Sequence, residues 1–465
     1  MDSGAEQIAL LVRKVLEDMS VATTVAPQLG NDGVFSTIDA AVGAAQVAQR
    51  QLVAMSLETR KEIIAAIRQS VLEANEQMAK LAVEETHLGR VEDKIRENIL
   101  CARKTPGVED IQPVAVSGDH GLMLLEYAPV GVIGALTPIT NPTGTIINNA
   151  IGMIAAGNAV VFNSHPSANE TSRRMVRLIH RAVVEAGGPA GLVGMVHEPS
   201  LDTARELVAH PGIAMLVATG GKAVVDVVLR SGKKAIGAGA GNPPCLVDET
   251  ANLRRAAECI VNGASVNNNI FCICEKEVIV VREVEEVLVK FMQETGKVRL
   301  LSPEEAERVT RLVVKDGHIN AAYIGRNVQI ILQDAGIAVG QSCRLAIFRA
   351  APDHPLVWNE QMMPVLPVVT VETVADGIDF AVKVEKGNRH TAIMHSTNVE
   401  NMTAFARAIQ TTIFVKNAPC YAGIGLDGEG HTSFTIAGPT GEGLTSARTF
   451  TRQRRCVLAE SFRII

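Results

Sequence analysis

The stretch that decides the fold is residues 130–186, which read VGVIGALTPITNPTGTIINNAIGMIAAGNAVVFNSHPSANETSRRMVRLIHRAVVEA. Strand-like apolar runs at residues 130–136 and 159–162 alternate with helical patterns at residues 145–156 and 169–186. Such alternation predicts βαβ units on a mostly parallel sheet, and therefore an α/β fold.

The same alternation begins again near Pro243, so the sequence predicts two α/β domains in series. The strand-like runs of this second block lie at residues 278–281, 346–348, 365–371 and 412–415. Residues 38–100 instead carry apolar positions at helical spacing. Residues 438–465 end in a basic, β-prone stretch that we expect to pair with another subunit.

The composition fits an α/β enzyme. The 465 residues include 44 Lys+Arg and 50 Asp+Glu, a net charge of −6, so the chain is not basic enough to predict nucleic-acid binding. A hydrophobic share of 47% with only 3% aromatic residues predicts a core of Val, Ile, Leu and Ala. This profile excludes a disordered chain.

The cysteines and the apolar runs indicate in which cellular compartment the protein is expected. The eight cysteines are scattered without a repeated CxxC pair, so we expect no disulfide framework and no metal site, and a reducing cytosol. The acidic start of the chain does not resemble a secretory signal. Residues 129–164 carry no charge, but prolines and polar residues interrupt the run of about 20 apolar residues that a membrane span needs.

Residues 1–19 form a separate unit in the sequence. Ser3 and Glu6 make a capping-box pair, and the apolar residues that follow recur at helical spacing, which predicts an amphipathic helix. Residues 20–33 have the composition of a linker. The pattern leaves two interpretations open: a first helix folded back on the body, or a detachable helix that docks on another protein.

Two glycine clusters could approach a ligand. The strand pattern at residues 213–218 leads through Thr219, Gly220 and Gly221 into a helical pattern at 222–229, where backbone N–H groups could bind a phosphate, although a plain tight turn is also possible. The second cluster, at residues 237–241, is closed by prolines and predicts backbone packed against a ligand or a neighbouring strand.

Residues 267–277, NNNIFCICEKE, carry the strongest sign of chemistry. Three consecutive asparagines predict a turn held by side-chain hydrogen bonds in front of Cys272. That cysteine is either a thiolate nucleophile with amide donors nearby or a buried structural residue. If Cys272 and Cys274 lie in a strand, they share one face.

Motifs spread over nearly the whole chain resemble the aldehyde dehydrogenase superfamily. The first are YAPVGVIG at 127–134, TP at 137–138 and TNP at 140–142. Further motifs resemble its CoA-acylating branch, the propionaldehyde and acetaldehyde dehydrogenases of bacterial microcompartments. They are GAGNPP at 239–244, Cys272 with EKEV at 275–278, MMPVLP at 362–367, RHTAIMH at 389–395, FVKN at 414–417, GPTGEG at 438–443 and TSARTF at 445–450.

The resemblance implies an organisation for the chain. It implies a cofactor-binding domain at residues 34–242 and a catalytic domain at 243–425, and it leaves open whether part of 425–440 joins the cofactor-binding domain. Residues 438–465 become a β oligomerisation segment of a homodimer or homotetramer. Residues 1–19 become an encapsulation segment that binds a shell protein, which implies a cytoplasmic enzyme inside a bacterial microcompartment.

The resemblance also implies residue roles. Cys272 would be the nucleophile, and Asn141 would donate its amide to the oxyanion beside the Cys272 backbone N–H. Glu360 would bind the nicotinamide ribose of NAD. The implied cofactor residues are Thr140, Asn163, His165, Pro166, Thr219, Gly220, Gly221, Gly237, Ala238 and Glu360, and the implied substrate pocket holds Ile270, Phe271 and Cys274.

The lack of an acidic residue at one position affects which product is expected, a free acid or an acyl-CoA. In hydrolytic relatives a glutamate activates water for deacylation, and by resemblance that position falls within residues 237–239, none of which is acidic. A missing general base removes roughly 10² to 10⁴ from hydrolysis, so the thioester would wait for the thiol of CoA. We therefore expect NAD-dependent conversion of a short aldehyde, propionaldehyde first, to its acyl-CoA. The alternatives are acetaldehyde as the main substrate, a hydrolytic enzyme, or a catalytically idle shell or scaffold component that uses only the helix at residues 3–19.

Two residues depart from the family pattern. Phe271 stands where many relatives have a smaller residue, so it could narrow the aldehyde pocket. Cys274 is either silent packing or an oxidisable neighbour of Cys272. Asn163 stands where a lysine often guides the choice between NAD and NADP, which leaves that preference open.

Overall fold

The computed structural model of the protein describes residues 32–465. The amphipathic helix predicted at residues 1–19 and residues 20–31 of the predicted linker lie outside the described residues.

Helices and strands alternate along most of the described chain. The helices are α1 Ile38–Ala54, α2 Leu57–Thr86, α3 Val91–Lys104, α4 Pro142–Ala155, α5 Asn169–Glu185, α6 Leu201–Ala209, α7 Lys222–Leu229, α8 Leu253–Ser265, α9 Arg282–Glu294, α10 Pro303–Val313, α11 Val328–Asp334, α12 Pro355–Trp358, α13 Val374–Glu385 and α14 Val399–Ile409. The strands are β1 Val34–Phe35, β2 Val114–Gly118, β3 Gly121–Pro129, β4 Val132–Thr137, β5 Ala159–Ser164, β6 Val193–Val196, β7 Met215–Thr219, β8 Lys234–Ala238, β9 Pro244–Val247, β10 Glu277–Val281, β11 Val298–Leu300, β12 Val314–Lys315, β13 His318–Ile319, β14 Leu345–Arg349, β15 Val365–Val371, β16 Thr391–His395, β17 Ile413–Lys416, β18 Ile436–Ala437, β19 Gly443–Leu444 and β20 Thr451–Ala459.

Two parallel sheets form the body of the protein. The first has six strands in the order β1-β6-β5-β4-β7-β8, and the second has seven in the order β11-β14-β15-β10-β9-β16-β17. The predicted α/β fold with parallel-rich sheets is confirmed. The residue bounds of a cofactor-binding and a catalytic domain stay a prediction.

Helix α4 explains the charge-free run of the sequence. It begins with Pro142 at its first position, where the missing N–H costs nothing, and every one of its residues is buried. A helix without charged residues that is buried on every side belongs in a core, here packed against strands β4 and β5 of the first sheet. Within residues 32–465, no helix is both long and apolar enough to cross a membrane.

The C-terminal segment forms a third, antiparallel sheet. Strand β20 pairs with β3 over its whole length, and β3 pairs with β2. Eight of the nine residues of β20 are exposed, Val457 and Leu458 among them. The β-prone character expected of this tail is present, and its pairing with another subunit stays a prediction.

Candidate active site

A cavity of about 380 Å³ lies between the carboxyl edge of the first sheet and the loops that precede β9, β10 and β15 of the second sheet. Three first-sheet strands end at its wall, where Thr137, His165 and Thr219 stand at or directly after the carboxyl ends of β4, β5 and β7. Ligands of open α/β sheets bind at this edge. The other lining residues are Pro138, Ile139, Thr140, Asn141, Gly220, Gly221, Val224, Gly239, Ala240, Ile270, Phe271, Cys272, Ile273, Glu360, Met362, Ile424, Ser433, Phe434 and Ile436.

The loop before Cys272 has an unusual backbone. Asn267, Asn268 and Asn269 have φ values of 47°, 53° and 64°, the left-handed region that asparagine tolerates better than most residues. The Asn269 amide donates to the carbonyls of Ala264 and Glu275 at 2.8 and 2.9 Å. The predicted turn held by side-chain hydrogen bonds is therefore present.

Cys272 and Cys274 do not lie in a strand. The N–H of Cys274 donates to the carbonyl of Phe271 at 3.1 Å, which closes a turn, so the shared strand face considered from the sequence does not form. Cys272 is half-buried on the cavity wall. Cys274 is fully buried and does not reach that wall.

The Cys272 thiol is protonated at neutral pH in this environment. Burial raises its pKa to about 12, and the negative charge of Glu360 contributes in the same direction, while Lys276 opposes it. Burial also raises the pKa of Glu360. The Cys272 backbone N–H makes no hydrogen bond to another residue in the described part of the chain, so it is free to meet a substrate oxygen.

Lys276 stabilises the loop that carries Cys272 through hydrogen bonds to two of its residues. Its ammonium group is fully buried and donates to the carbonyl and side-chain oxygens of Asn269 at 2.8 and 2.6 Å, and to the carbonyl of Phe271 at 3.3 Å. Three donors thus meet three acceptors, which is the full capacity of a lysine ammonium group.

Asn141 faces the cavity at the start of α4. Its side-chain oxygen accepts a hydrogen bond from the fully buried Lys94 at 3.2 Å. Its Nδ2 has only a long contact of 3.4 Å to the Thr140 hydroxyl, so this donor can serve a ligand.

One side of the cavity lies at the start of α7, where Gly220, Gly221 and Val224 line it. A Cβ added to Gly220 or Gly221 would meet no atom within 4 Å, so both backbones face open space at the N-terminus of an eight-residue helix. Such a position suits a phosphate group. At the other side, Glu360 accepts a hydrogen bond from the Gly241 N–H at 3.3 Å. These residues fit a dinucleotide.

Of the two glycines in the acid-free stretch at residues 237–239, only Gly239 has room for a side chain. A Cβ on Gly237 would lie 2.6 Å from Val225, whereas the nearest atom to a Cβ on Gly239 would be 3.8 Å away. Gly239 lines the cavity and carries no acid. Among the lining residues of the described chain, Glu360 is the one carboxylate.

The structure brings most of the predicted site residues to one wall. The predicted residues that line the cavity are Asn141, Thr140, His165, Thr219, Gly220, Gly221, Glu360, Ile270, Phe271 and Cys272. Those that do not line it are Asn163, Pro166, Gly237, Ala238 and Cys274. The Asn163 side-chain oxygen accepts a hydrogen bond from the Thr203 hydroxyl at 2.7 Å, so it is engaged with α6.

Several neighbours of the site were not foreseen from the sequence. Lys94 and Lys276 sit among other charged residues and give no sign that they are fully buried. Phe434 packs edge-on against Phe271, with ring centroids 5.9 Å apart. His390 lies against Gly241 with an unpartnered, buried Nε2, and burial lowers its pKa to about 4, so the ring is neutral.

Comparison with known proteins identifies the family. Residues 31–428 match the model of the aldehyde dehydrogenase family. The chain is 48% identical to the acetaldehyde dehydrogenase (acetylating) EutE of Escherichia coli strain K12, over 99% of each chain. It is 46% identical to a propanal dehydrogenase (CoA-propanoylating) of Salmonella typhimurium, over 99% of this chain and all of that one. The chain therefore belongs to the aldehyde dehydrogenase family, which confirms the resemblance drawn from its motifs.

Solved structures agree with this assignment. The propionaldehyde dehydrogenase of Rhodopseudomonas palustris, solved with CoA bound and a cysteine acylated, is 49% identical with a TM-score of 0.91, covering 92% of this chain and 99% of that one. A propionaldehyde dehydrogenase from the fucose utilisation microcompartment of Clostridium phytofermentans is 48% identical with a TM-score of 0.92, covering 93% of this chain and all of that one.

Proposed function

We propose that the protein oxidises a short aldehyde with NAD and transfers the acyl group to CoA. We favour propionaldehyde as the substrate, with acetaldehyde as the alternative. Both substrates are considered because relatives named for each of them match almost the whole chain. The observation that carries the proposal is the cavity wall itself. It joins a half-buried thiol, a free amide donor and an open helix N-terminus, with glycine where an acid would activate water.

Cys272 and Asn141 carry the first step. The thiol loses its proton to water in the cavity, and the sulfur bonds to the aldehyde carbon as the carbonyl π bond opens. The resulting oxyanion meets the Cys272 backbone N–H and the Asn141 Nδ2. Losing one such donor typically costs about 10² to 10³ in turnover.

The side of the cavity at the start of α7 would hold the cofactor. Gly220 and Gly221 would cradle its phosphates at the start of α7, and Glu360 would bind the nicotinamide ribose. The cofactor held there would supply the hydride acceptor for the aldehyde hydrogen, and loss of that hydride would leave the acyl group on Cys272 as a thioester. The Cys272 and Asn141 donors hold the oxygen while the C=O bond re-forms.

CoA then resolves the thioester. Its thiol bonds to the acyl carbon, the bond to the Cys272 sulfur breaks, and the cysteine recovers a proton. Water competes poorly because Gly239 supplies no base. Among residues 32–465, Glu360 is the one carboxylate that lines the cavity, and it accepts a hydrogen bond from the Gly241 N–H, in keeping with a binding role rather than that of a base.

The apolar part of the cavity supports a short acyl chain. Ile139, Ile424 and the perpendicular pair of Phe271 and Phe434 line it. These side chains would give the acyl chain an apolar surface to contact, and the edge-to-face packing of the two rings stabilises that surface.

The proposal also covers the oligomeric state of the protein and its location in the cell. The exposed face of β20 supports a homodimer or homotetramer. The sequence of residues 1–19 and the relative from a microcompartment support encapsulation through a shell protein.

Trapping the acyl group tests the proposal. The protein is mixed with propionaldehyde and NAD without CoA, digested and analysed by mass spectrometry. The propionyl group should appear on Cys272 and leave on addition of CoA, and Cys272→Ala should abolish the label while Cys274→Ala keeps it. A propionyl label on Cys274 instead of Cys272 would show that Cys272 is not the nucleophile.

A further inference from the structure

The first turns of α3 place a fully buried lysine directly behind Asn141. The Lys94 ammonium donates to Glu97 Oε2 at 3.2 Å, to the carbonyl of Thr140 at 2.5 Å and to Asn141 Oδ1 at 3.2 Å. Its side chain is wholly inaccessible to solvent. Three N–H donors therefore meet three acceptors, and none is left for a ligand.

This arrangement fixes which end of the Asn141 amide faces the cavity. A rotated amide would point its NH₂ group at the Lys94 ammonium, so two donors would face each other in a buried site, which is costly. With Oδ1 held by Lys94, Nδ2 is the end that remains, and its one contact is the 3.4 Å approach to Thr140 Oγ1.

The same end of α3 also holds the loop that carries Cys272. Asp93 Oδ2 accepts a hydrogen bond from the Asn267 N–H at 2.8 Å, and Glu97 Oε2 accepts one from Asn267 Nδ2 at 3.5 Å. A Cβ on Gly144 would lie 2.4 Å from Glu97 Oε1, so α4 packs directly on this carboxylate. One helix end thus contacts both elements that supply the oxyanion donors.

We propose that Lys94 is a positioning residue, which acts through Asn141 by holding its amide with Nδ2 toward the oxyanion. This inference rests on the proposed function, because it assigns Asn141 as an oxyanion donor. Lys94 itself touches no reacting atom.

A double-mutant cycle tests the role. Lys94→Met alone would strand Glu97 as an unpaired buried charge and could unfold the chain, so the pair Lys94→Met with Glu97→Gln is used. We expect this pair to lower kcat by about tenfold or more with little change in the KM for propionaldehyde. In the Asn141→Ala background the same pair should change kcat by less than about twofold, because the group through which Lys94 acts is gone.

A matched control separates positioning from general damage. Asn98 lies on the same helix, is buried, and donates only to Asn75 Oδ1 at 3.0 Å, so Asn98→Ala should keep kcat even if the melting temperature falls. Alkylation of Cys272 by iodoacetamide should proceed at the native rate in the Lys94 and Glu97 pair, which reports an intact cysteine loop.

The outcomes distinguish the two claims. If the native chain forms no NADH in the presence of propionaldehyde, NAD and CoA, the proposed function and this inference both fail. If the native chain is active and Asn141→Ala is slow, but the Lys94 and Glu97 pair lowers kcat equally in both backgrounds, only the inference is overturned.

Discussion

Replacing Gly239 with glutamate should increase the hydrolytic activity of the protein. The position lines the cavity together with Cys272, and a Cβ there has no neighbour nearer than Pro439 Cγ at 3.8 Å. The φ of Gly239 also lies outside the left-handed region, so a larger residue meets no backbone strain. A carboxylate at this position would face the acyl thioester.

The size of the effect follows from the role of a general base. Such a base is worth roughly 10² to 10⁴ in rate, about 3 to 5 kcal/mol of barrier. A newly introduced side chain is not held by its neighbours, so we expect the lower end of this range. CoA-independent propionate formation should therefore rise by about 10².

The assay measures propionate and NADH with propionaldehyde and NAD but no CoA. Gly239→Gln is the matched control, since it fills the same space without a base. Gly237→Glu is a second control, because its Cβ would lie 2.6 Å from Val225 Cγ1 and it should destabilise the fold instead. Equal hydrolysis by the folded Glu and Gln variants, both of which acylate Cys272, would refute the idea that a missing base sets the product.

Three further predictions concern the thiol, the cofactor and the N-terminus. Alkylation of Cys272, followed by mass spectrometry, should accelerate about tenfold per pH unit from 7 to above 9, because a thiol with a pKa of about 12 gains thiolate throughout that range; a plateau below pH 9 would contradict this. Glu360→Gln should speed that alkylation at a fixed pH, because it removes a negative charge that raises the pKa of Cys272. The same change should raise the KM for NAD. Slower alkylation of the folded variant would contradict the effect assigned to Glu360. Deleting residues 1–19 should release the enzyme from its compartment with nearly native kinetics, as measured by co-purification with shell proteins; undiminished co-purification would count against an encapsulation segment.

The sequence predicted the elements of the fold closely where the apolar pattern is regular. The helix expected at residues 222–229 is α7 Lys222–Leu229, and the strand at 365–371 is β15 Val365–Val371. The helix expected from residue 145 begins instead at Pro142, because proline suits the first turn of a helix although it has no apolar periodicity to reveal it.

The site was predictable only in part. Motifs pointed to Cys272, Asn141 and Glu360, and these three line one cavity. The burial of Lys94 and Lys276 could not be predicted, because a lysine between acidic residues on a helix or before a strand usually lies at the surface. Cys274 was expected near the substrate, but the turn at residues 271–274 directs it into the core.

The dependence of NADH formation on CoA tests the central claim most directly. Purified protein is given propionaldehyde and NAD, and NADH, propionyl-CoA and propionate are measured with and without CoA. We expect one propionyl-CoA for each NADH, and without CoA no more than a single turnover that ends at the acylated Cys272. Rapid, continuing release of propionate without CoA would contradict it.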